Sequence, residues 1–315
     1  MDIFVSSIYV VIGFALLIFG GDSLVRVAVD LGVRFKVPTA VIGLTIVAAG
    51  TSLPELVTSI LAALDGNSDI SVGNVVGSNV FNILAGIGFA SLIRPNKIKP
   101  QALKIEWPFL MFASLLMWVL GMDYIFQRAE GILFLFLIVV FMVFSVKNAK
   151  KIGFEVNEED LEAGDASGHF GKEIAWLTAG FISLVIGAEI ALHGAIQIGK
   201  LIGMTDRVIG LTIVSAGTGL PELVTSCVAA FKGRDDIAIA NVIGSNIMNI
   251  MAIIGITSLI TPLAISPQIQ NYDILFMLAS TLLLLPFMLK GSKMIRRYEG
   301  ATFVALYIYY IASLL

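Results

Sequence analysis

Long apolar segments separated by short polar connections make up nearly the whole chain. A bilayer core is about 30 Å thick, so a helix that crosses it needs roughly 20 apolar residues at about 1.5 Å each. Ten segments meet or approach this length, and they predict an all-α membrane protein with ten transmembrane helices. The predicted spans are residues 3–19, 37–64, 70–92, 105–122, 131–146, 174–198, 208–231, 237–259, 274–289 and 301–314.

The composition supports a lipid environment. The 315 residues are 57% hydrophobic and 14% charged, whereas a soluble domain carries about 25% charged residues. No basic tract indicates a nucleic-acid partner, and no motif indicates a cofactor. The N-terminus has no basic residue before its first apolar segment, so we expect a retained helix and not a cleaved signal peptide.

The charges in the connections predict the orientation, because Lys and Arg are enriched in cytoplasmic loops. Of the 20 Lys and Arg residues, 17 fall on one side of the predicted spans, and only Arg128, Lys200 and Arg207 fall on the other. The first side should be cytoplasmic. Both termini are then outside a multi-pass cell-membrane protein, for which we expect the monomer to be the functional unit.

The chain contains an internal repeat. Residues 41–93 align with residues 208–260 without a gap, at a constant offset of 167, and about two thirds of the positions are identical. The segment VIGLTIVAAGTSLPELVTS returns as VIGLTIVSAGTGLPELVTS, and NVVGSNVFNI returns as NVIGSNIMNI. Two halves of one chain therefore share one structural plan.

The number of spans in each half predicts how the halves are related. Residues 1–146 and 173–315 each hold five predicted spans, and an odd number makes the second half enter the membrane from the opposite side. Inverted repeats of this kind are typical of secondary transporters, whose substrate site lies at the midplane between broken helices. Residues 147–172 form a polar linker, predicted to be solvated; as a Ca²⁺ sensor it would lack EF-hand ligand spacing.

The second predicted span of each half contains a helix-breaking motif. Pro54 has no N–H to donate to the carbonyl of Gly50, and its ring opens that turn. Pro221 repeats this feature after Gly217. Carbonyls freed at membrane depth are tolerated only where protein, water or ions satisfy them, so the sequence predicts a polar centre at both breaks.

A glutamate follows each of these prolines. Glu55 and Glu222 lie deep in apolar sequence, where an acidic side chain costs about 2.5–3.5 kcal/mol on an insertion scale. Such residues persist when they hold an ion, a proton or a partner, and no Lys or Arg lies close in sequence within these spans. We interpret the two glutamates as ligands of a transported cation; the alternative is a pair of protonated carboxyls in the core.

The third predicted span of each half adds neutral oxygen ligands. Ser78 with Asn82, and Ser245 with Asn249, are spaced i, i+4 and so share a helix face. Hydroxyl, amide, carbonyl and carboxylate oxygens favour hard cations such as Ca²⁺ and Na⁺. Other polar and small residues of these spans are predicted to pack helix against helix: Asn79, Asn246, Gly73, Gly77 and Gly244.

The doubled G-T-[SG]-L-P-E and G-S-N-x-x-N motifs resemble the repeats of the cation/Ca²⁺ exchanger superfamily, which includes the sodium/calcium exchangers. The resemblance implies exchange of Na⁺ for Ca²⁺ by alternating access, in which helices 1 and 6 slide against the other eight. It also implies the ligands from the first half, Ala48 (carbonyl), Thr51, Ser52, Glu55, Ser78 and Asn82. From the second half it implies Ser215 (carbonyl), Thr218, Glu222, Ser245 and Asn249.

Two positions depart from the sodium/calcium exchanger pattern. Gly219 stands where those exchangers have a second Ser, and Asn249 stands where they tend to have an Asp. The site can then carry a charge of at most −2, which one Ca²⁺, two Na⁺ or two protons neutralise. Three Na⁺ would leave an uncompensated buried charge. We therefore expect fewer than three Na⁺ per Ca²⁺, or exchange of Ca²⁺ for protons, unless Asp22 or Glu189 supplies charge.

Three other functions compete with Na⁺-driven Ca²⁺ antiport. A Ca²⁺/H⁺ antiporter would use the same two glutamates, and the sequence does not separate the two. A passive channel is disfavoured, because channels usually assemble rings of residues from several subunits. An enzyme is excluded by the lack of a nucleophile–base pair near Ser52, Ser78 or Ser245. Asp22 and Glu189, which correspond at offset 167, are expected to be structural in preference to gating residues.

Overall fold

A computed structural model describes residues 3–149, 170–204, 213, 215–290 and 292–314. The described chain is helical, apart from four two-residue strands. The helices are α1 (Ile3–Phe35), α2 (Thr39–Thr51), α3 (Leu53–Leu64), α4 (Ser68–Ile93), α5 (Ala102–Asp123), α6 (Arg128–Ala149), α7 (Phe170–Leu201), α8 (Ser215–Thr218), α9 (Leu220–Phe231), α10 (Asp235–Ile260), α11 (Ile269–Leu289) and α12 (Arg297–Leu314). The strands are β1 (Asn96–Lys97), β2 (Ile125–Phe126), β3 (Leu263–Ala264) and β4 (Met294–Ile295).

Seven of the described helices are long and apolar enough to cross a membrane, which confirms a multi-pass membrane protein. They are α1, α4, α5, α6, α7, α10 and α11. The pair α2 and α3 would add an eighth span if it crosses as one unit, with a bend of 42° between its two helices. The 12-residue α9 is shorter but also apolar, and residues 205–212 and 214 before it lie outside the described part.

The first helix is longer than the sequence predicts. The prediction placed its end near residue 19, but α1 continues to Phe35. The continuation passes through Gly20, which packs so closely on α7 that an added Cβ would lie 2.7 Å from the carbonyl oxygen of Gly180. Helix–helix packing of small residues, and not a turn, therefore explains this glycine.

The helices α1 and α7 are equivalent in the two halves of the chain, and each makes the same glycine contacts with the other. Gly13 and Gly180, like Gly20 and Gly187, are related by the offset of 167. An added Cβ at Gly187 would lie 2.8 Å from the carbonyl oxygen of Gly13, which mirrors the approach of Gly20 to Gly180. The crossing is therefore close and pseudo-symmetric.

The strands also join the two halves. β1 pairs antiparallel with β4, and β2 pairs antiparallel with β3, so each short sheet takes one strand from either half. The helices α4 and α10 lie in the centre, with 78% and 89% of their most apolar windows buried. These two helices carry the predicted neutral ligands, so the fold places them in the interior.

Helices α4 and α10 each contain a π-helical turn in the same place. One covers Asn82–Ile87 and the other Asn249–Ile253, so both begin at a predicted asparagine ligand. Such turns are frequent at functional sites, because they redirect side chains without ending the helix. No feature of the sequence predicted them.

Helices cover both ends of the linker predicted at residues 147–172, because α6 continues to Ala149 and α7 begins at Phe170. Residues 150–169 lie outside the described part of the chain.

Candidate cation site

The helix break predicted around Pro54 is confirmed. α2 ends at Thr51, Ser52 adopts φ −84° and ψ 7°, and Pro54 occupies the first turn of α3. Gly219, with φ −80° and ψ 0°, separates α8 from α9 in the same way. Each break places a glutamate in the first turn of the following helix, where the positive end of the helix dipole stabilises an anion.

Both glutamates are completely buried, and their carboxylates repel each other. Among the described residues, Glu55 has no hydrogen-bond partner for either carboxylate oxygen, and Glu222 has none for Oε2. The Ser52 hydroxyl donates to Oε1 of Glu222 over 3.0 Å. The two halves of the chain therefore share one polar centre, in which Ser52 of the first half contacts the glutamate of the second.

The other predicted hydroxyl ligands are also buried. Thr51 and Ser245 have their hydroxyl oxygens 3.3 Å apart, which joins α2 to α10. The hydroxyls of Ser78 and Thr218 are buried without a hydrogen-bond partner among the described residues. The carbonyl of Ala48 accepts from the Ser52 N–H at 3.1 Å and from the Thr51 hydroxyl at 3.3 Å.

The remaining predicted carbonyl ligand is at Ser215. This residue begins α8, and its side chain lies outside the described part of the structure.

The four asparagines divide into two kinds. Asn79 donates to the main-chain oxygen of Asn246 at 3.4 Å, and Asn246 donates to that of Asn79 at 3.1 Å, which confirms their helix–helix role. Asn249 donates to Oδ1 of Asn79 at 3.1 Å. In the described structure its own Oδ1 is buried without a partner, and neither polar atom of the Asn82 side chain has one.

The unpartnered atoms are the main chemical feature of the site. Most buried polar atoms in proteins have a hydrogen-bond partner, yet six predicted ligands carry at least one buried atom with no partner within the described ranges. They are Glu55, Glu222, Ser78, Thr218, Asn82 and Asn249. All six can offer oxygen lone pairs, which a hard cation such as Ca²⁺ or Na⁺ accepts. The chemistry of this donor set therefore fits an alkali or alkaline-earth ion.

A second layer of asparagines holds the glutamate main chains. Asn74 donates to the carbonyl oxygen of Glu55 at 3.2 Å and to the hydroxyl of Ser59 at 3.0 Å. Asn241 makes the corresponding bonds to Glu222 and Ser226 at 3.3 and 3.0 Å. The sequence motifs did not single out these two asparagines, although they occupy equivalent positions of the repeat at the offset of 167.

The structure explains why position 219 is a glycine, which the sequence did not reveal. A Cβ added at this glycine would lie 2.5 Å from Cδ1 of Phe81, whose ring also packs edge-on against Tyr307 at 5.3 Å. The residue that corresponds to Phe81 in the second half is Met248. An aromatic ring therefore fills the space that the side chain of a serine at position 219 would need.

Asp22 and Glu189 lie outside this centre. Asp22 forms ion pairs with Lys232 and, at 3.5 Å, with Arg26. Glu189 is exposed on α7. Neither carboxylate is among the groups that line the buried site, so among the described residues the charge of the site comes from Glu55 and Glu222.

Known proteins resemble this chain over nearly its whole length. The family model described as "Sodium/calcium exchanger protein" matches residues 5–147 and 172–315. The chain is 38% identical over 311 residues to the putative antiporter CaxA of Alkalimonas amylolytica, with 97% of each chain covered. It is 32% identical over 350 residues to the sodium/calcium exchanger MaX1 of Methanosarcina acetivorans, with 98% of each covered.

A solved structure extends the similarity to three dimensions. The structure of the sodium-calcium exchanger NCX_Mj, soaked with 10 mM Na⁺ and no Ca²⁺, superposes with a TM-score of 0.84. The two chains are 32% identical, and the match covers 100% of both. The chain described here therefore belongs to the sodium/calcium exchanger protein family, and it is a membrane antiporter and not an enzyme.

Proposed function

We propose that this protein moves Ca²⁺ across the membrane in exchange for Na⁺, with Glu55 and Glu222 as the charged ligands. One observation carries the proposal: in the part of the chain that the structure describes, both oxygens of the buried Glu55 carboxylate lack a partner, and a second buried glutamate and four neutral candidate ligands also carry unpartnered atoms. An anionic centre of this kind is costly unless a cation compensates it. The family, and the names of MaX1 and NCX_Mj, support Ca²⁺ and Na⁺ as the ions.

The ligands come from both halves of the chain. Ca²⁺ takes about 6–8 oxygen ligands, and two carboxylates alone do not supply them. We assign the others to the hydroxyls of Thr51, Ser52, Thr218, Ser78 and Ser245, the amide oxygens of Asn82 and Asn249, and the carbonyls of Ala48 and Ser215. The bond from Ser52 to Glu222 supports this assignment, because it brings one ligand of each half into contact.

The architecture that we propose has ten spans in two inverted repeats of five. The separate matches of the family model to residues 5–147 and 172–315 support two equivalent halves. The reciprocal contacts of α1 with α7, and of Asn79 with Asn246, support a pseudo-two-fold relation between them. In this arrangement two spans are broken, one formed by α2 and α3 and the other by α8 and α9. The site lies where these two breaks face the central helices α4 and α10.

Alternating access follows from this arrangement. The glycine-lined pair of α1 and α7 forms one body that slides against the other helices, so the site opens to one side of the membrane at a time. We place both termini outside and the linker in the cytoplasm, as the loop charges predict, and we propose that the monomer transports.

Protons are the alternative coupling ion. The described centre holds two carboxylates, and at the position of Asn249 it has a neutral amide that donates to Asn79. Two protons neutralise two glutamates as completely as one Ca²⁺ or two Na⁺ does. This charge balance favours either proton coupling or a Na⁺ stoichiometry below three.

Flux into proteoliposomes separates these functions. Uptake of ⁴⁵Ca²⁺ is measured against an outward Na⁺ gradient and, separately, an outward H⁺ gradient, with protein-free liposomes as the control. Uptake that requires the Na⁺ gradient is the expected result. Uptake that follows only the H⁺ gradient would identify a Ca²⁺/H⁺ antiporter, and uptake indifferent to both gradients would indicate a passive channel.

A further inference from the structure

The helices α5 and α6 enclose an apolar cavity of about 360 Å³ that is open on one side. Its floor is the stacked pair Phe109 and Phe141, whose ring centroids are 3.9 Å apart. Phe112 and Phe144 form its outer walls and are 46% and 49% exposed. The exposed side chain of Lys104 lies at its rim. The cavity therefore combines an apolar interior with one positive charge at the mouth.

The corresponding place in the second half is built differently. Lys104 and Ile105 correspond to Asn271 and Tyr272 at the offset of 167, and Phe144 corresponds to Ser313 at an offset of 169 that holds after β2 and β4. The Tyr272 hydroxyl donates to Ser313 at 3.0 Å and ties α11 to α12. The stacked floor has a counterpart in Phe276 and Tyr310, whose ring centroids are 4.5 Å apart, but the lysine and the phenylalanine wall at positions 104 and 144 are specific to the first half.

We propose that this cavity binds an acyl chain of an anionic phospholipid, whose phosphate pairs with Lys104. Lys147 lies one helical turn beyond Phe144, so it flanks the same mouth. Both lysines are on the side that the loop charges predict to be cytoplasmic, where the leaflet holds the anionic lipids that basic pockets between helices bind. A lysine also places its charge at the interface while its stem covers apolar surface.

Native mass spectrometry of the purified protein tests this site without any transport measurement. Phosphatidylglycerol and phosphatidylcholine are titrated separately. We expect the wild type to retain phosphatidylglycerol about tenfold more strongly than phosphatidylcholine. Lys104→Gln should lose this preference. Val140→Trp should lose both lipids, because the tryptophan ring fills the cavity. Lys172→Gln, which removes a charge on the same predicted side, is the control and keeps the wild-type preference. Equal retention of the two lipids by the wild type, or an unchanged preference in Lys104→Gln, would overturn the proposal.

A second, independent observation concerns α1 and α9. Asp22 of α1 pairs with Lys232, which directly follows α9. One position earlier, an added Cβ at Gly21 would lie 3.3 Å from Cα of Thr225. The two helices are therefore in close contact, and this contact buries Val224 to 7% exposure.

The equivalent helices α7 and α3 lack this contact. Leu53, Val57 and Leu61 of α3 are 46%, 54% and 57% exposed, although their counterparts on α9 are buried or half-buried. Glu189, the counterpart of Asp22, and Asp65, the counterpart of Lys232, are both exposed. The structure thus shows one of two arrangements that the repeat makes possible, with α9 covered and α3 uncovered.

We infer that the pair of Asp22 and Lys232 locks the arrangement seen here and that the opposite arrangement has no such lock. The inference rests on the proposed alternating access, in which the halves exchange conformations. After the exchange α7 would cover α3, and Glu189 would approach Asp65. Two carboxylates repel where an ion pair attracts, so the resting protein favours the arrangement with α9 covered.

Disulfide trapping in a Cys227→Ser background tests the lock. The pair Gly21→Cys with Thr225→Cys reports the arrangement seen here, and Ala188→Cys with Thr58→Cys reports the opposite one. Asp65→Lys is expected to raise the yield of the second cross-link a few-fold, and Lys232→Asp is expected to lower the yield of the first by a similar factor. Asp123→Lys is the control, because it reverses a charge on the same predicted side as Asp65, and it should change neither yield. If the second cross-link forms but ignores both charges, the lock is wrong. If it never forms in any variant or with any ion, alternating access itself is wrong.

Discussion

The hydroxyl of Ser52 donates a hydrogen bond of 3.0 Å to Oε1 of Glu222, a residue 170 positions later in the chain. Its counterpart in the second half is Gly219, so Glu55 receives no equivalent bond, and neither of its oxygens has a partner among the residues that the structure describes. The two halves of the site are therefore unequal. Glu222 accepts a hydroxyl bond across the two halves, whereas the corresponding position for Glu55 is a glycine packed against the Phe81 ring.

Ser52→Ala should weaken Ca²⁺ binding by about tenfold or more, because a hydrogen bond to a charged group contributes about 1.5–3 kcal/mol. The measurement is the Ca²⁺ dependence of ⁴⁵Ca²⁺ uptake. Ser145→Ala is the matched control, since that hydroxyl is also buried but lies on α6, away from the site. Equal Ca²⁺ dependence in the two variants would exclude Ser52 from the site.

Glu55→Gln and Glu222→Gln should each reduce Ca²⁺ flux to the level of protein-free liposomes, because either change halves the charge that compensates Ca²⁺. Both variants should remain folded, since glutamine has nearly the same shape and removes a buried charge. Flux and thermal stability are measured together, with Glu130→Gln as a control, since this glutamate is half-buried at the start of α6 and, among the described residues, only accepts from the Gln127 N–H. Transport retained in either variant would contradict the assignment of that glutamate.

Gly219→Ser should destabilise the protein when it is introduced alone, because its Cβ would lie 2.5 Å from Cδ1 of Phe81. Overpacking of this kind costs about 1–3 kcal/mol. Adding Phe81→Met copies the second half, where Met248 corresponds to Phe81, and should restore stability. The double variant then gains a hydroxyl near Glu55 and should depend more strongly on Na⁺. Thermal unfolding and Na⁺-driven uptake measure the two effects, and a single variant as stable as the wild type would refute the steric argument.

Asn249→Asp should raise the Na⁺ dependence of transport, because a third carboxylate lets the site neutralise a third Na⁺. The change also removes the amide that donates to Oδ1 of Asn79, so some loss of stability is expected. Currents in proteoliposomes under a Na⁺ gradient measure the net charge moved per cycle. The wild type should carry less net charge inward with Na⁺ than this variant, and identical currents would show that position 249 does not set the stoichiometry.

Gly244→Ala should destabilise the protein by more than about 1 kcal/mol, even though alanine favours a helix over glycine by about that amount. An added Cβ would lie 2.5 Å from the main-chain oxygen of Leu44, which cannot move aside. Gly73→Ala is the control, because the nearest atom there is Cδ1 of Ile269 at 3.8 Å. Thermal unfolding compares them, and only the first should lose stability. The close approach predicted from sequence is thus confirmed for Gly244, while Gly73 has room for a methyl group.

The sequence by itself determined the features that local chemistry and periodicity control. Apolar length predicted a multi-pass membrane protein, the offset of 167 predicted equivalent halves, and the missing N–H of Pro54 predicted the break before Glu55. The motifs also identified six candidate ligands whose side chains carry unpartnered buried atoms in the described part of the structure. Each of these features follows from residues a few positions apart or from a repeated segment.

Only the tertiary structure decided which residues of one half meet which residues of the other. Ser52 contacts Glu222, Phe81 fills the space beside Gly219, and α1 covers α9 while α7 leaves α3 exposed. Two nearly identical repeats cannot reveal these differences, because the partners are far apart in the chain and their contacts depend on how whole helices pack. The physical reason is that hydrogen bonding along one helix is local, whereas the surroundings of a buried charge are set by every helix that encloses it.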